Sequence, residues 1–325
     1  MKAMSIEQTS ETFGGWAIAA IAKHSRKMVE HEPGVYDGQD PEALHQMRVG
    51  MRRLRTALDG FSRAIEIPKA AQEKKVGKLA RELGTLRDLD VLKESLETEY
   101  FPSLPSQEQT NLNSVFQELA KQRQKAYKKV VKTLESKDYQ KLKSSLNQWL
   151  EQPQLSAIAQ LPITVVLPDL LLPHLSNLLL HPGWLAGHNT NTDAETLLNE
   201  QGETLHSLRK AAKKARYQME LFTHCYEQPY QEYVKQIKAI QSILGKIQDS
   251  VVLKEFLSDC CGEDFSETFP HLAQQLTQFR HEKWQQWQQL QDQFLTPATR
   301  QNLRLTIQNP TAAQSEVLEN QTNMG

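Results

Sequence analysis

The chain contains itself twice. His45–Phe61 reads HQMRVGMRRLRTALDGF and His206–Phe222 reads HSLRKAAKKARYQMELF. Both follow His-x2-Arg-x3-(Arg/Lys)2-x-Arg-x5-Phe, at an offset of 161 residues. The same offset relates Leu83–Leu96 (LGTLRDLDVLKESL) to Leu244–Leu257 (LGKIQDSVVLKEFL), where Leu, Gly, Asp, Val-Leu-Lys-Glu and the last Leu coincide. Two separate matches at one offset mark two homologous halves, and an internal repeat of this kind constrains the fold before anything else does. At 325 residues and 37.2 kDa the chain has room for two domains of ordinary size.

Both halves read as helical. Apolar residues recur at three and four, and Gly and Pro fall between the periodic stretches. Helices are predicted over about 12–31, 42–66, 69–99, 108–136 and 138–150, then over about 168–181, 200–225, 230–259, 267–295 and 297–308. Asp40-Pro41-Glu42 is a helix start with proline at the first position. Residues 10–150 are thus expected to form the first helical half, 151–167 a linker, 168–308 the second half and 309–325 a disordered tail. Gly and Pro number 14 each, too few for a turn-rich all-β protein. Three cysteines do not make a disulfide scaffold. The N-terminus lacks the basic start and apolar run of a secretory leader. The most apolar stretch, Leu161–Leu180, is interrupted by Pro162, Pro168, Asp169, Pro173 and His174, so no membrane span is expected. The reading is a cytoplasmic protein.

The net charge of −1 conceals a segregation. His45–Leu58, Leu119–Leu134 and His206–Tyr217 contain fifteen basic residues and no acid. The remainder carries −16, which suggests a focused anion site rather than a uniformly sticky surface. A basic run alone is ordinarily a solvated helix face; recurrence argues for a ligand. At 100° per residue, His45, Arg48, Arg52 and Arg55 fall within about 80° of arc, opposite Met47, Met51, Leu54, Leu58 and Phe61. Arg53 lies off that stripe. In the second half His206, Arg209, Lys213 and Arg216 share a face opposite Leu208, Ala215, Met219 and Phe222, with Lys214 beside them. The next helices repeat the theme with Lys74, Lys78, Arg81 and Asp88, and with Lys235, Lys238, Lys246 and Asp249. Like charges at such spacings destabilise a helix by a few tenths of a kcal/mol per pair, so an anion is expected there. Lys121, Lys125, Lys128 and Lys132 form an outward stripe with no second-half counterpart. Arg123 and Arg280 each sit on an apolar helix face, either as buried paired residues or pointing into a central cavity.

Arginine offers a planar fork that matches phosphate oxygens, and lysine a point charge. His45 to Arg55 spans about 15 Å of helix, which suits a linear polyanion better than one phosphate. The paired motif resembles the CHAD (conserved histidine α-helical) domain family over roughly residues 10–305. The resemblance implies an all-α fold of two four-helix bundles related by pseudo-twofold symmetry around a basic central cavity, and binding of inorganic polyphosphate. It implies as ligands His45, Arg48, Arg52, Arg53 and Arg55, and His206, Arg209, Lys213, Lys214 and Arg216. Lys74, Lys78, Arg81, Lys235 and Lys246, with Arg123 and Arg280, complete the candidates. Lys213 and Lys214, and Gln248 where the first half has Arg87, depart from the arginine-rich pattern and imply a weaker grip in the second half.

Some members of that family carry a triphosphatase domain with Glu-x-Glu-x-Lys, a signature not found in this chain. No catalytic constellation, cofactor or metal site is expected: His24/His31 and His174/His181/His188 have no cysteine or carboxylate cluster to complete them. The expected function is non-enzymatic polyphosphate binding, with targeting to polyphosphate granules. The alternatives are nucleic-acid binding, polyphosphate or triphosphate hydrolysis, and an adaptor whose acidic outer surface binds protein.

Overall fold

The computed structural model describes residues 11–188, 190, 192–261 and 265–311. Most of these are helical, with two isolated bridges, Thr12 to Pro162 and Ile65 to Leu155. The first half runs α1 (Phe13–Glu30), α2 (Glu32–Asp37), α3 (Pro41–Gly60), α4 (Glu73–Glu82), α5 (Gly84–Ser95), α6 (Ser106–Glu135) and α7 (Lys137–Glu151). The second runs α8 (Ile163–Leu179), α9 (Ala194–Glu220), α10 (Gln228–Cys261), α11 (Phe265–Thr268), α12 (Pro270–Leu295) and α13 (Pro297–Gln308). The all-α class follows from the sequence, as do most element positions. Asp40 caps α3 by accepting from the Glu42 N–H at 2.8 Å, with Pro41 at the first helical position.

The helix predicted over 42–66 ends at Gly60 and that over 200–225 runs Ala194–Glu220; two further changes have a cause in the packing. The linker of 151–167 ends early, because α8 begins at Ile163 and continues through Pro168 and Pro173. Proline in a helix interior costs about 3 kcal/mol; α8 offsets this by burying Ile163, Val166, Leu167, Leu171, Leu175, Leu178 and Leu179, packed on α9 and α13. The single helix predicted over 69–99 breaks at Leu83 into α4 and α5. Arg48 Nη1 donates to the Ala80 carbonyl at 2.7 Å, an oxygen that would otherwise take the Gly84 N–H in a continuous helix. In the second half α10 runs unbroken through Gly245. Residues 312–325 of the expected tail lie outside the described residues; just before them, the Thr311 N–H donates to the Cys225 carbonyl at 2.8 Å.

α3 crosses α1 at Gly50, where a Cβ would lie 2.7 Å from the Met28 backbone nitrogen. Only glycine permits that approach. The buried apolar residues form two clusters, and neither belongs to one half. The larger extends from Phe13 to Ile307. The smaller gathers Leu96, Leu112, Val115 and Leu119 from the first half with Leu253, Leu257, Phe269, Leu272 and Leu276 from the second. It exists because α6 and α10 have 30 and 34 residues against 20 in α3, so their far ends need a filling of their own. Glu108 ties this end together. Its carboxylate, 3% exposed, accepts from the His271 and Leu272 backbone N–H groups at 2.9 and 3.1 Å. An acid of the first half thereby caps a second-half helix that has no side-chain cap of its own.

Candidate functional site

The two motif helices, α3 and α9, pack against each other, and their contacts reciprocate at the repeat offset. Phe61 and Phe222 meet edge to face with ring centroids 5.5 Å apart. Arg53 pairs with Glu220 at 3.4 Å, and Lys214, its counterpart, pairs with Asp59, the counterpart of Glu220, at 3.2 Å. Such exchange, in which i touches j and j′ touches i′, is the mark of a local twofold. Gln218 strengthens the junction by donating to the Thr56 carbonyl at 3.2 Å and to Asp59 at 3.1 Å.

The same operation relates two arginine seats. The Arg48 guanidinium lies over Gly84, where a Cβ would sit 3.1 Å from Nη1, and Asp88 steadies its charge. Arg209 lies over Gly245, where a Cβ would sit 3.2 Å from Nε, and reaches Asp249 at 3.9 Å. The Leu-Gly and Asp of the second repeated segment are thus the floor and counter-ion of an arginine in the first. Gly245→Ala is expected to raise helix stability by about 1 kcal/mol while pushing Arg209 off its seat. Thermal unfolding and anion titration, run with Gly84→Ala as the twin, check both parts.

Between these helices lies a recess of about 580 Å³. Arg48, Arg52, Arg55, Arg81, Lys210, Lys213 and Lys214 line it against Asp59, Glu73 and Asp88, a formal excess of four positive charges. Arg55 is neutralised by Glu73 and Lys214 by Asp59. Arg52, Arg81, Lys210 and Lys213 have no ion-pair partner among the described residues. Arg52 Nε is buried without a hydrogen-bond acceptor, as is Arg209 Nε. Arg52 and Arg216 clasp Tyr217 from 4.8 and 4.3 Å, a cation–π arrangement that holds both guanidiniums in place. At the centre is Lys213. Burial first, then Arg52, Arg209, Arg48 and Arg216, push its pKa down to about 8.

Against known families, the model of the CHAD domain matches residues 19–258. The chain belongs to the CHAD domain family. Among solved structures, the CHAD domain from the plant Ricinus communis is similar at 25% identity and a TM-score of 0.57, over 93% of this chain and 94% of that one. PptA from Streptomyces chartreusis shares the fold at 11% identity and a TM-score of 0.62, over 88% of this chain and 99% of that one. No curated protein sequence matches significantly.

In this CHAD chain the sequence candidates divide by place. Arg48, Arg52, Arg55, Arg81, Lys213 and Lys214 line the recess. Arg209 and Arg216 stand directly behind it, within the electrostatic reach of Lys213. Arg53 does not line it; it is held by Glu220 across the two halves. His45 and His206 are half-buried on the same helices and do not line the recess. Burial, then Arg87, Arg52 and Arg48 hold His45 below its ordinary value, with Glu42 opposing. Burial, then Lys210, Arg209 and Lys213 do the same for His206, with a Gln248 hydrogen bond opposing. Residues 87 and 248, equivalent in the repeat, therefore each face the motif histidine.

Two candidates need correction. Arg123 bonds Asp90 at 2.8 Å and Arg280 forms a two-nitrogen pair with Glu195. Both are paired, Arg123 half-buried and Arg280 in the core, and neither lines the recess. Periodicity placed them on apolar faces but does not reveal the acid each one meets. Lys74, Lys78, Lys235 and Lys246 stand on exposed helix faces outside the recess, Lys235 with Glu232 at 2.7 Å. Lys210, Tyr217 and Gln218 line the recess without having been singled out as ligands. Lys210 has Val49 as its counterpart, so the repeat gave no signal for it. Among the described residues no helix is long and apolar enough to cross a membrane, and no three ligating side chains converge to hold a metal ion.

Proposed function

We propose that this CHAD chain binds inorganic polyphosphate in the recess between α3 and α9, without chemistry on it, and that this recruits it to polyphosphate granules. The observation that carries the reading is the meeting of Arg52 and Lys213, equivalent residues of the two halves, beside Arg48, Arg209 and Arg216, with neither Arg52 nor Lys213 held in an ion pair among the described residues. Folding gathers these like charges at a cost that a bound anion removes. Arg48 and Arg52 supply planar forks for phosphate oxygens, and Lys213 adds a point charge. A narrow chain with a charge on every unit engages both copies of the motif at once. The carboxylates beside the cluster each face a cation, Asp88 toward Arg48, Asp249 toward Arg209 and Glu220 toward Arg216, which favours orienting roles for them over holding catalytic ions. Tyr217 is 7% exposed, with the Arg52 and Arg216 guanidiniums already over its ring, so it offers no platform for a nucleobase.

Binding isotherms against polyphosphates of several lengths test the reading. With four cations engaged, log K is expected to fall with log salt at a slope of about −3, by analogy with single-stranded polyanions. Single- or double-stranded DNA that displaces polyphosphate at equal phosphate concentration refutes it. The pH dependence has a definite sign. A bound anion favours the Lys213 ammonium, so the complex keeps that proton to higher pH than the free protein does. Affinity is expected to fall as pH rises through and above about 8, and below that window Lys213 contributes no slope. His45 and His206 start below their ordinary value and an anion within reach raises them, so affinity climbs further as pH falls toward their lowered free-protein values. NMR titration of the two imidazoles with and without polyphosphate reads the shift directly; unchanged midpoints count against contact.

A further inference from the structure

The duplication is chemically unequal in the wall of the recess. Position 52 is arginine and its counterpart, 213, is lysine. Arginine keeps its proton throughout the biological range, whereas a buried lysine can release it and become a nucleophile. Lys213 is half-buried in the wall of the recess, beside Arg48, Arg52, Arg209 and Arg216. The other two lysines of the lining serve as internal controls: Lys214 is tied to Asp59 at 3.2 Å, and Lys210 is exposed to water.

We propose that Lys213 is a selective acylation site, which takes the acyl group of a small acyl phosphate docked by its phosphoryl group on the surrounding arginines. This rests on the reading that the recess accepts phosphoryl groups. The amine lone pair attacks the acyl carbon. A C–N bond forms and the C–O bond to phosphorus breaks, its electron pair leaving with inorganic phosphate. The proton shed by nitrogen passes to the departing phosphate or to water, and nothing is oxidised or reduced. Arg48 and Arg52 perform two tasks: they hold the phosphoryl group and they stabilise the charge that develops on it as it leaves. Burial, then the proximity of these arginines, holds the Lys213 pKa down to about 8 in the free protein, so it presents far more free amine at pH 7 than an ordinary lysine does. The product is a neutral amide. It removes one charge from the centre of the cluster and so turns down polyphosphate binding by covalent means.

The test incubates the full chain with acetyl phosphate and follows each lysine by peptide mass spectrometry. Lys213 is expected to react at least about tenfold faster than Lys210 or Lys214, and several-fold faster at pH 8 than at pH 7. Acetic anhydride, which carries no phosphoryl group to dock, should show only the smaller preference that a partly deprotonated amine confers. Equal rates at the three lysines, or the same preference from both reagents, overturn the proposal. Polyphosphate added first should shield Lys213 alone. Selective acylation without shielding upholds the reactive amine and overturns the polyphosphate reading; tight polyphosphate binding with unselective acylation overturns only the present proposal.

Discussion

Lys213→Glu is expected to abolish polyphosphate binding and at the same time to make the protein harder to unfold. The substitution changes the charge by two at the point where Arg52, Arg209, Arg48 and Arg216 converge. A charge-assisted contact contributes about 1.5–3 kcal/mol, and an added carboxylate repels the ligand besides, so a loss above about 3 kcal/mol, over a hundredfold in Kd, is the expected scale. The same carboxylate gives Arg52 the counter-ion it lacks. Relief of like-charge crowding is expected to stabilise the free protein by about 1 kcal/mol, or about 2 °C in Tm for a chain of this length. Calorimetric titration and thermal unfolding should therefore move in opposite directions, with Lys213→Gln intermediate in both. A variant that unfolds earlier, or binds as well as its parent, removes the basis of the binding site. Charge reversal of Arg48 and Arg209 together should also abolish binding. In that pair the stability gain is smaller, because Arg48 also bonds the Ala80 carbonyl.

Glu195→Ala is expected to cost about 3 kcal/mol or more of stability and leave polyphosphate affinity unchanged. Arg280 is 2% exposed and Glu195 is its counter-ion. Removing one partner of a buried pair strands the other charge, and Arg280 Nη1 already lacks an acceptor. Replacing both, Arg280→Met with Glu195→Leu, should recover most of the loss, since an apolar pair needs no compensation. Denaturant unfolding of the single and double variants reads the effect. Weakened polyphosphate binding in a well-folded double variant would return Arg280 to the set of ligands.

These two experiments separate what the sequence could reveal from what it could not. The offset repeat exposed the motif helices, their basic stripes and the apolar faces opposite, because a helix of known pitch turns spacing into position. It also held a signal that went unread. Asp59 and Glu220 are acids at equivalent positions, and an acid repeated beside a repeated cation foreshadows the reciprocal pairs with Lys214 and Arg53. Partners distant in sequence left no such trace. Asp90 for Arg123 and Glu195 for Arg280 become visible only once helices pack. Nor did local rules foresee α8, in which burial of one apolar side overrides two prolines, or the break at Leu83, made by a guanidinium from another helix.

Tethering both copies in one polypeptide has a consequence for the polymer they embrace. An assembly of two identical subunits must present the same residue on either side of its axis, so a thread laid across it meets mirror-like ends and has no preferred heading. Here one flank offers Arg52 and the other Lys213. The groove accordingly possesses a direction, and a strand lying in it can be told front from back.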